Sequence, residues 1–82
     1  VVAVAPPGRA ALAEAGERAV AVFCELDDAY REGQALDELA DTLRAAGRPP
    51  GEVRAMRETS AAAYRRAGAD AEAEEALGKA DE

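Results

Sequence analysis

Asp37 with Asp41, and Glu74 with Glu75, are the acid pairs in this chain whose placement on helices could support general acid–base chemistry. Such a pair works when one carboxyl is buried and the other solvated, so that their pKa values separate. The neighbouring sequence offers no burial to either pair, and all four are expected as surface acids. Cys24 is the only cysteine. A catalytic thiolate needs a base beside it, and the chain has no histidine to act as one. Its position next to Phe23 on an apolar stripe predicts a buried, inert thiol. A lone cysteine also rules out an internal disulfide and a cysteine metal cluster. Ser60 or Thr59 would depend on Lys79, near the chain's far end, and the glycines are scattered as helix stops with no phosphate-binding loop among them. These residue types predict no enzymatic activity, no cofactor and no metal.

A formal charge of −7 argues against nucleic acid, and the run Arg54, Arg57, Arg65, Arg66 has only Tyr64 as an aromatic neighbour. The charges fall in blocks: seven acids against Arg31 between Glu25 and Asp41, then six arginines against Glu52 and Glu58 up to Arg66, then six acids against Lys79 from Asp70 onwards. Opposite signs on successive helices either attract one another in an antiparallel stack or mark a face for a charged partner. Exposed ion pairs contribute about 0.2–1 kcal/mol each, so the blocks tune pairing and do not drive folding. No stretch is long and apolar enough to span a membrane, and Val1 to Ala5 is too short for a signal peptide and lacks a basic leader, which predicts a cytoplasmic protein. The missing initiator Met suggests excision from a longer chain, or processing.

The elements that must carry these residues are helices. Leu36, Leu39, Ala40, Leu43 and Ala46 fall on one side of a helix over 29–46, with Asp27 or Asp28 as its cap. Gly47 stops it, and Pro49-Pro50-Gly51 breaks the chain before a helix over 52–67 whose weaker stripe is Val53, Met56, Ser60, Ala63 and Ala67. Upstream, Leu12, Ala15, Ala19, Val22, Phe23 and Leu26 trace a helix over 9–26, with Gly16 as a weak point; Gly33 threatens to fray the first turn of the next. A fourth helix over 70–80 should dock loosely on Ala73, Ala76, Leu77 and Ala80. Residues 1–8 and 81–82 read as tails around one helical domain at 9–80. No stretch after Val4 alternates as a strand would.

Eighty-two residues, 23 of them alanine, supply a thin core. It either closes a small bundle of three to four helices or forms half of a larger core, completed by a second copy or a neighbouring domain. A shift of 41 residues lays Ala21, Phe23 and Ala35-Leu36 on Ala62, Tyr64 and Ala76-Leu77, and Asp27-Asp28 on Gly68-Ala69. With an allowance of two residues, Pro6-Pro7-Gly8 also falls on Pro49-Pro50-Gly51. That period, with two helices in each unit, is a mark of an α-solenoid.

The order Ala35-Leu36, Leu39-Ala40, Leu43, Gly47, a helix ending in Tyr64 and a Gly-Ala-Asp turn resembles the longer, roughly forty-residue form of the tetratricopeptide repeat. Glu52 stands where that family keeps a small residue, with Val53 beside it to take the role, and Leu43 stands where it keeps an aromatic. The resemblance implies an all-α solenoid fragment, an antiparallel hairpin with flanking helices. Its ligand face would be Gln34, Asp37, Asp41 and Arg44, with Arg48 at the end. Two aspartates there disfavour a carboxylate ligand and suit a basic or polar peptide, unless the stripe is simply solvated.

Two functional expectations follow. One is a non-enzymatic protein–protein interaction module presenting a helical face to a peptide or protein. The other is a docking or dimerisation domain at the end of a subunit of a bacterial multi-enzyme assembly line, with Leu12, Phe23, Leu26 or Leu77 as dimer or stacking contacts.

Overall fold

The computed structural model describes residues 9–80, with side chains from residue 13 onwards. The predicted tails at 1–8 and 81–82, and the Leu12 side chain, lie outside the described residues. Four helices follow one another: α1 (Arg9–Glu25), α2 (Ala29–Ala45), α3 (Pro50–Arg66) and α4 (Asp70–Ala80). Each packs mainly on the helix before and the helix after it, and the described residues contain no strand. The fold is all-α.

The three turns are closed the same way. The Asp28 N–H donates to the Phe23 carbonyl and the Asp27 N–H to that of Cys24; Arg48 and Gly47 repeat the pattern on Leu43 and Arg44, and Ala69 and Gly68 on Tyr64 and Arg65. These are Schellman closures, in which a left-handed residue lets two N–H groups satisfy the last carbonyls of a helix. Gly47 and Gly68 take that conformation at φ 75° and 76°, and Asp27 takes it at φ 56° without the freedom of glycine. Asp28 then caps α2, its side chain accepting the Arg31 N–H at 3.2 Å. The predicted ends at 26, 46 and 67 each overshoot by one, because these positions hold the caps. Helix α3 starts earlier than predicted because Pro50 fits the first helical position, where its missing N–H is no loss.

The 41-residue shift found in the sequence carries the span of α1 onto that of α3 and the first residue of α2 onto that of α4. It also carries Asp27 onto Gly68, the two left-handed turn residues.

Helices α2 and α3 meet closely. A Cβ on Gly33 would stand 2.9 Å from Cδ1 of Tyr64, so Gly33 is a contact point of two helices and not a point of fraying. The buried Ser60 hydroxyl donates to the Gly33 carbonyl at 2.7 Å. Tyr64 also meets Tyr30 edge-on, ring centroids 5.5 Å apart, and packs with Ala61 against Ala73 and Ala76 of α4, with Leu77 at the margin.

The α1 stripe is rotated from the expected one. Gly16 and Ala19 sit over Leu39 and Ala35, and Phe23 is half-buried beside Ala35, whereas Ala15, Val22, Cys24 and Leu26 are exposed. The expectation of a buried Cys24 is therefore overturned. Helix α1 has a single neighbour, so only a narrow stripe is covered and an apolar residue one position away remains in water.

Candidate functional site

Arg57 of α3 is 2% exposed and is held by two acids of α2. Its Nη1 donates to Asp37 Oδ1 at 2.6 Å and to the Asp37 carbonyl at 3.1 Å, and its Nη2 donates to Asp41 Oδ1 at 2.6 Å. Lys79 of α4 completes the group, donating to Asp37 Oδ2 at 3.0 Å. Two cations face two anions across three helices. Burial disfavours the Arg57 charge, yet the hydrogen bonds to Asp41 and Asp37 outweigh it and leave its pKa above the usual arginine value. The hydrogen bond from Lys79 to Asp37 likewise raises the ammonium pKa. At the other end of the interface, Arg66 of α3 pairs with the buried Glu32 of α2. The charge blocks of α2 and α3 thus meet one another.

This geometry relocates the acidic stripe read from the sequence. Asp37, at 18% side-chain exposure, is not the surface acid expected; it lies on the packing side of α2, committed to Arg57 and Lys79. Asp41 remains largely exposed but leans on Arg57. Gln34 and Arg44 are exposed, and Arg48 forms a two-pronged pair with Glu52, both contacts at 2.8 Å. Glu52 therefore points outward, and Val53 is the half-buried neighbour. The five residues do not form one free face. Helical spacing set out the stripe and the charge blocks allowed α2 and α3 to attract one another, but neither said that α3 would cover the Asp37 edge.

The open surface lies elsewhere. A groove of about 700 Å³ runs between α1 and α3, floored by Leu43 of α2 and Ala46 at its C-cap, and walled by Met56 and Ala55 on one side and Ala13 on the other. Glu14 and Glu17 stand on the α1 wall and make no ion pair among the described residues. Arg48, at the groove's end, is neutralised by Glu52. The sequence reading missed this groove, because its residues come from three helices and only Arg48 was singled out.

At the α1–α2 end, Leu26 is 69% exposed and Val22 49%, with Tyr30 also exposed. Of the proposed dimer contacts, Phe23 and Leu77 are half-buried within the fold, and Leu26 is in solvent. Among the described residues no His, Cys, Asp or Glu side chains gather in a way that could hold a metal ion, and no helix is long and apolar enough to cross a membrane. Comparison with known proteins brings out no matching family, no matching curated protein and no matching solved structure.

Proposed function

We propose that this chain is a non-enzymatic protein–protein interaction module whose groove between α1 and α3 takes an apolar segment bearing basic residues. The observation that carries the reading is the groove itself: an apolar floor and an acidic wall whose Glu14 and Glu17 make no ion pair among the described residues. Apolar burial would supply the affinity and Glu14 and Glu17 the selection of charge. The coincidence of helix boundaries under the 41-residue shift supports a tetratricopeptide-like unit, in which stacked hairpins present such a groove. One exposed cysteine and no disulfide suit a reducing cytoplasm.

The test is a fluorescence titration with two amphipathic peptides of identical apolar pattern, one carrying lysines and one glutamates. The lysine peptide should bind, more weakly at high salt, and Ala55→Arg should abolish binding with helicity unchanged, since Ala55 is exposed on the groove wall. Equal binding of both peptides, or binding unaffected by Ala55→Arg, would remove the groove from the account.

Leu26, Val22 and Tyr30 favour a second reading, docking or dimerisation through the α1–α2 end. Light scattering across a wide concentration range separates the two: dimers that Leu26→Asp dissolves support docking, and a monomer throughout supports the groove alone.

A further inference from the structure

We infer that the side of the α1–α2 pair that α3 does not cover binds the same side of a second copy, with α1 laid antiparallel on α1 and α2 on α2. The inference rests on the docking reading and gives it a partner and a register. On this side a shallow groove of about 340 Å³ is lined by Ala19 and Phe23 of α1 and by Arg31, Gln34, Ala35 and Glu38 of α2. Val22, one turn on from Ala19, and Leu26, one turn further, extend the apolar strip. The Leu26 N–H donates to the Val22 carbonyl at 3.0 Å, so the helical register runs on past the end of α1. Under the 41-residue shift Val22 falls on Ala63, which is completely buried. Helix α3 has helices on two sides and α1 on one, so Val22 is bare at a position where neighbours cover its counterpart.

The charges identify the missing neighbour as a second copy. Helix α1 carries Arg18 and Glu25, and α2 carries Arg31 and Glu38, each acid two turns, or about 10.5 Å, after its arginine. All four are exposed. Arg18, Glu25 and Glu38 make no ion pair among the described residues, and Arg31 makes only an exposed one with Asp28 at 3.5 Å. Two of them are badly placed for their own helices. Glu25 lies in the last turn of α1, by the negative end of its dipole, and Arg31 in the first turn of α2, by the positive end. A second copy turned over about an axis that crosses α1 near Val22 and α2 near Gln34 corrects both. Ala19 sits over Ala35, so these two points stand at one level to within a turn. Each Arg18 then meets the partner's Glu25 and each Arg31 the partner's Glu38, while Leu26 of each copy lies over Ala15 of the other. Two-fold pairing requires such self-matching, and in a chain of net charge −7 two copies can meet only where their charges balance locally. The other end of the fold does not fit. Helix α4 exposes Asp70, Glu74 and Glu75 against the lone Lys79, so stacking head to tail would bring acids onto Glu25. Two 17-residue helices offer a face at the low end of the about 1,200–2,000 Å² that stable complexes bury, so the dimer should come apart on dilution.

Sedimentation equilibrium at low salt, over a wide concentration range, tests the pairing. Reversible dimers are expected. Arg18→Glu and Glu25→Arg should each weaken them about tenfold or more with helicity intact. Because Glu25→Arg lowers the net charge, its effect cannot come from general repulsion. Mixed in equal amounts the two variants should pair again, since each then faces the opposite charge at both positions; Arg31→Glu mixed with Glu38→Arg should do the same through α2. A chain that is monomeric at every concentration would overturn the pairing and the docking reading together. Dimers that Leu26→Asp dissolves but the charge reversals do not weaken, no recovery on mixing on either helix, or oligomers larger than the dimer would overturn the pairing and leave docking standing.

Discussion

Arg57 and Asp37 are joined twice, because one guanidinium nitrogen of Arg57 reaches both the Asp37 carboxylate and the Asp37 backbone carbonyl, at 2.6 and 3.1 Å. The contact fixes the rotation of α2 relative to α3 as well as their separation. Removing Arg57 leaves Asp37 partly buried with only Lys79 to balance it. Arg57→Met should therefore cost about 3–5 kcal/mol, as expected for breaking a buried pair from one side. Asp41, 63% exposed, is a different case, and Asp41→Asn should cost less than about 1 kcal/mol. Urea unfolding of both variants checks this. Equal costs would mean that the network does not hold the helices together.

The four helices were legible because their stops are local: Gly47, Gly68 and the prolines act within a few residues of where they stand. The loci of contact were not. Arg57 sits inside a basic run, and its burial shows only once α2 and α4 are placed on either side of it. Gly33 reads as a flaw in a helix, and Cys24 as a core residue. Each was misjudged for one reason: periodicity gives the spacing of a stripe, while the number of neighbours and their angle decide which edge is covered. Helix α1 has one neighbour and α3 has two. The groove between them could not be read from either helix alone.

Two glycines inside helices make opposite predictions. Gly78 of α4 has nothing within 4 Å of its missing Cβ, so Gly78→Ala should stabilise the fold by about 0.5–1 kcal/mol through helix propensity. Gly33→Ala gains the same propensity but drives a methyl into the Tyr64 ring, and overpacking of about 1–3 kcal/mol should make the net effect destabilising. Thermal unfolding of the two variants should move the midpoint in opposite directions. A Gly33→Ala variant as stable as Gly78→Ala would show that α2 and α3 are further apart than described.

Among the described residues, Asp27 is the one turn residue in the left-handed region that is not glycine. Its two counterparts, Gly47 and Gly68, show what the same turn accepts elsewhere. Asp27→Gly should raise stability by about 1 kcal/mol, a midpoint rise of about 4–8 °C for a domain of this size. Asp28→Ala, one residue on, should instead lose about 0.5–2 kcal/mol, since the α2 cap disappears. A calorimetric scan separates the two adjacent aspartates, and a drop in midpoint for Asp27→Gly would remove strain from the description of this turn.

Alkaline pH should loosen the α2–α3–α4 contact before anything else. Burial, followed by the Asp37 charge, pushes the Tyr64 phenol up to about 12 from its ordinary 10. The hydrogen bond to Asp37 raises Lys79 above its ordinary 10.5. Both groups hold their protons more tightly in the folded chain than in the unfolded one. Their contribution is therefore complete below about pH 10 and is lost as pH rises through the folded values. The melting temperature should stay level to about pH 9.5 and then fall towards pH 12, less steeply in Tyr64→Phe, whose hydroxyl makes no hydrogen bond among the described residues. In a Tyr30→Phe background Tyr64 is the only phenol left, and its ionisation can be followed by absorbance while helicity is read by circular dichroism. Ionisation should track unfolding. Tyr64 ionising near pH 10 with the helices intact would mean that its ring reaches water, and that the cluster with Ala61, Ala73 and Ala76 opens without the fold being lost.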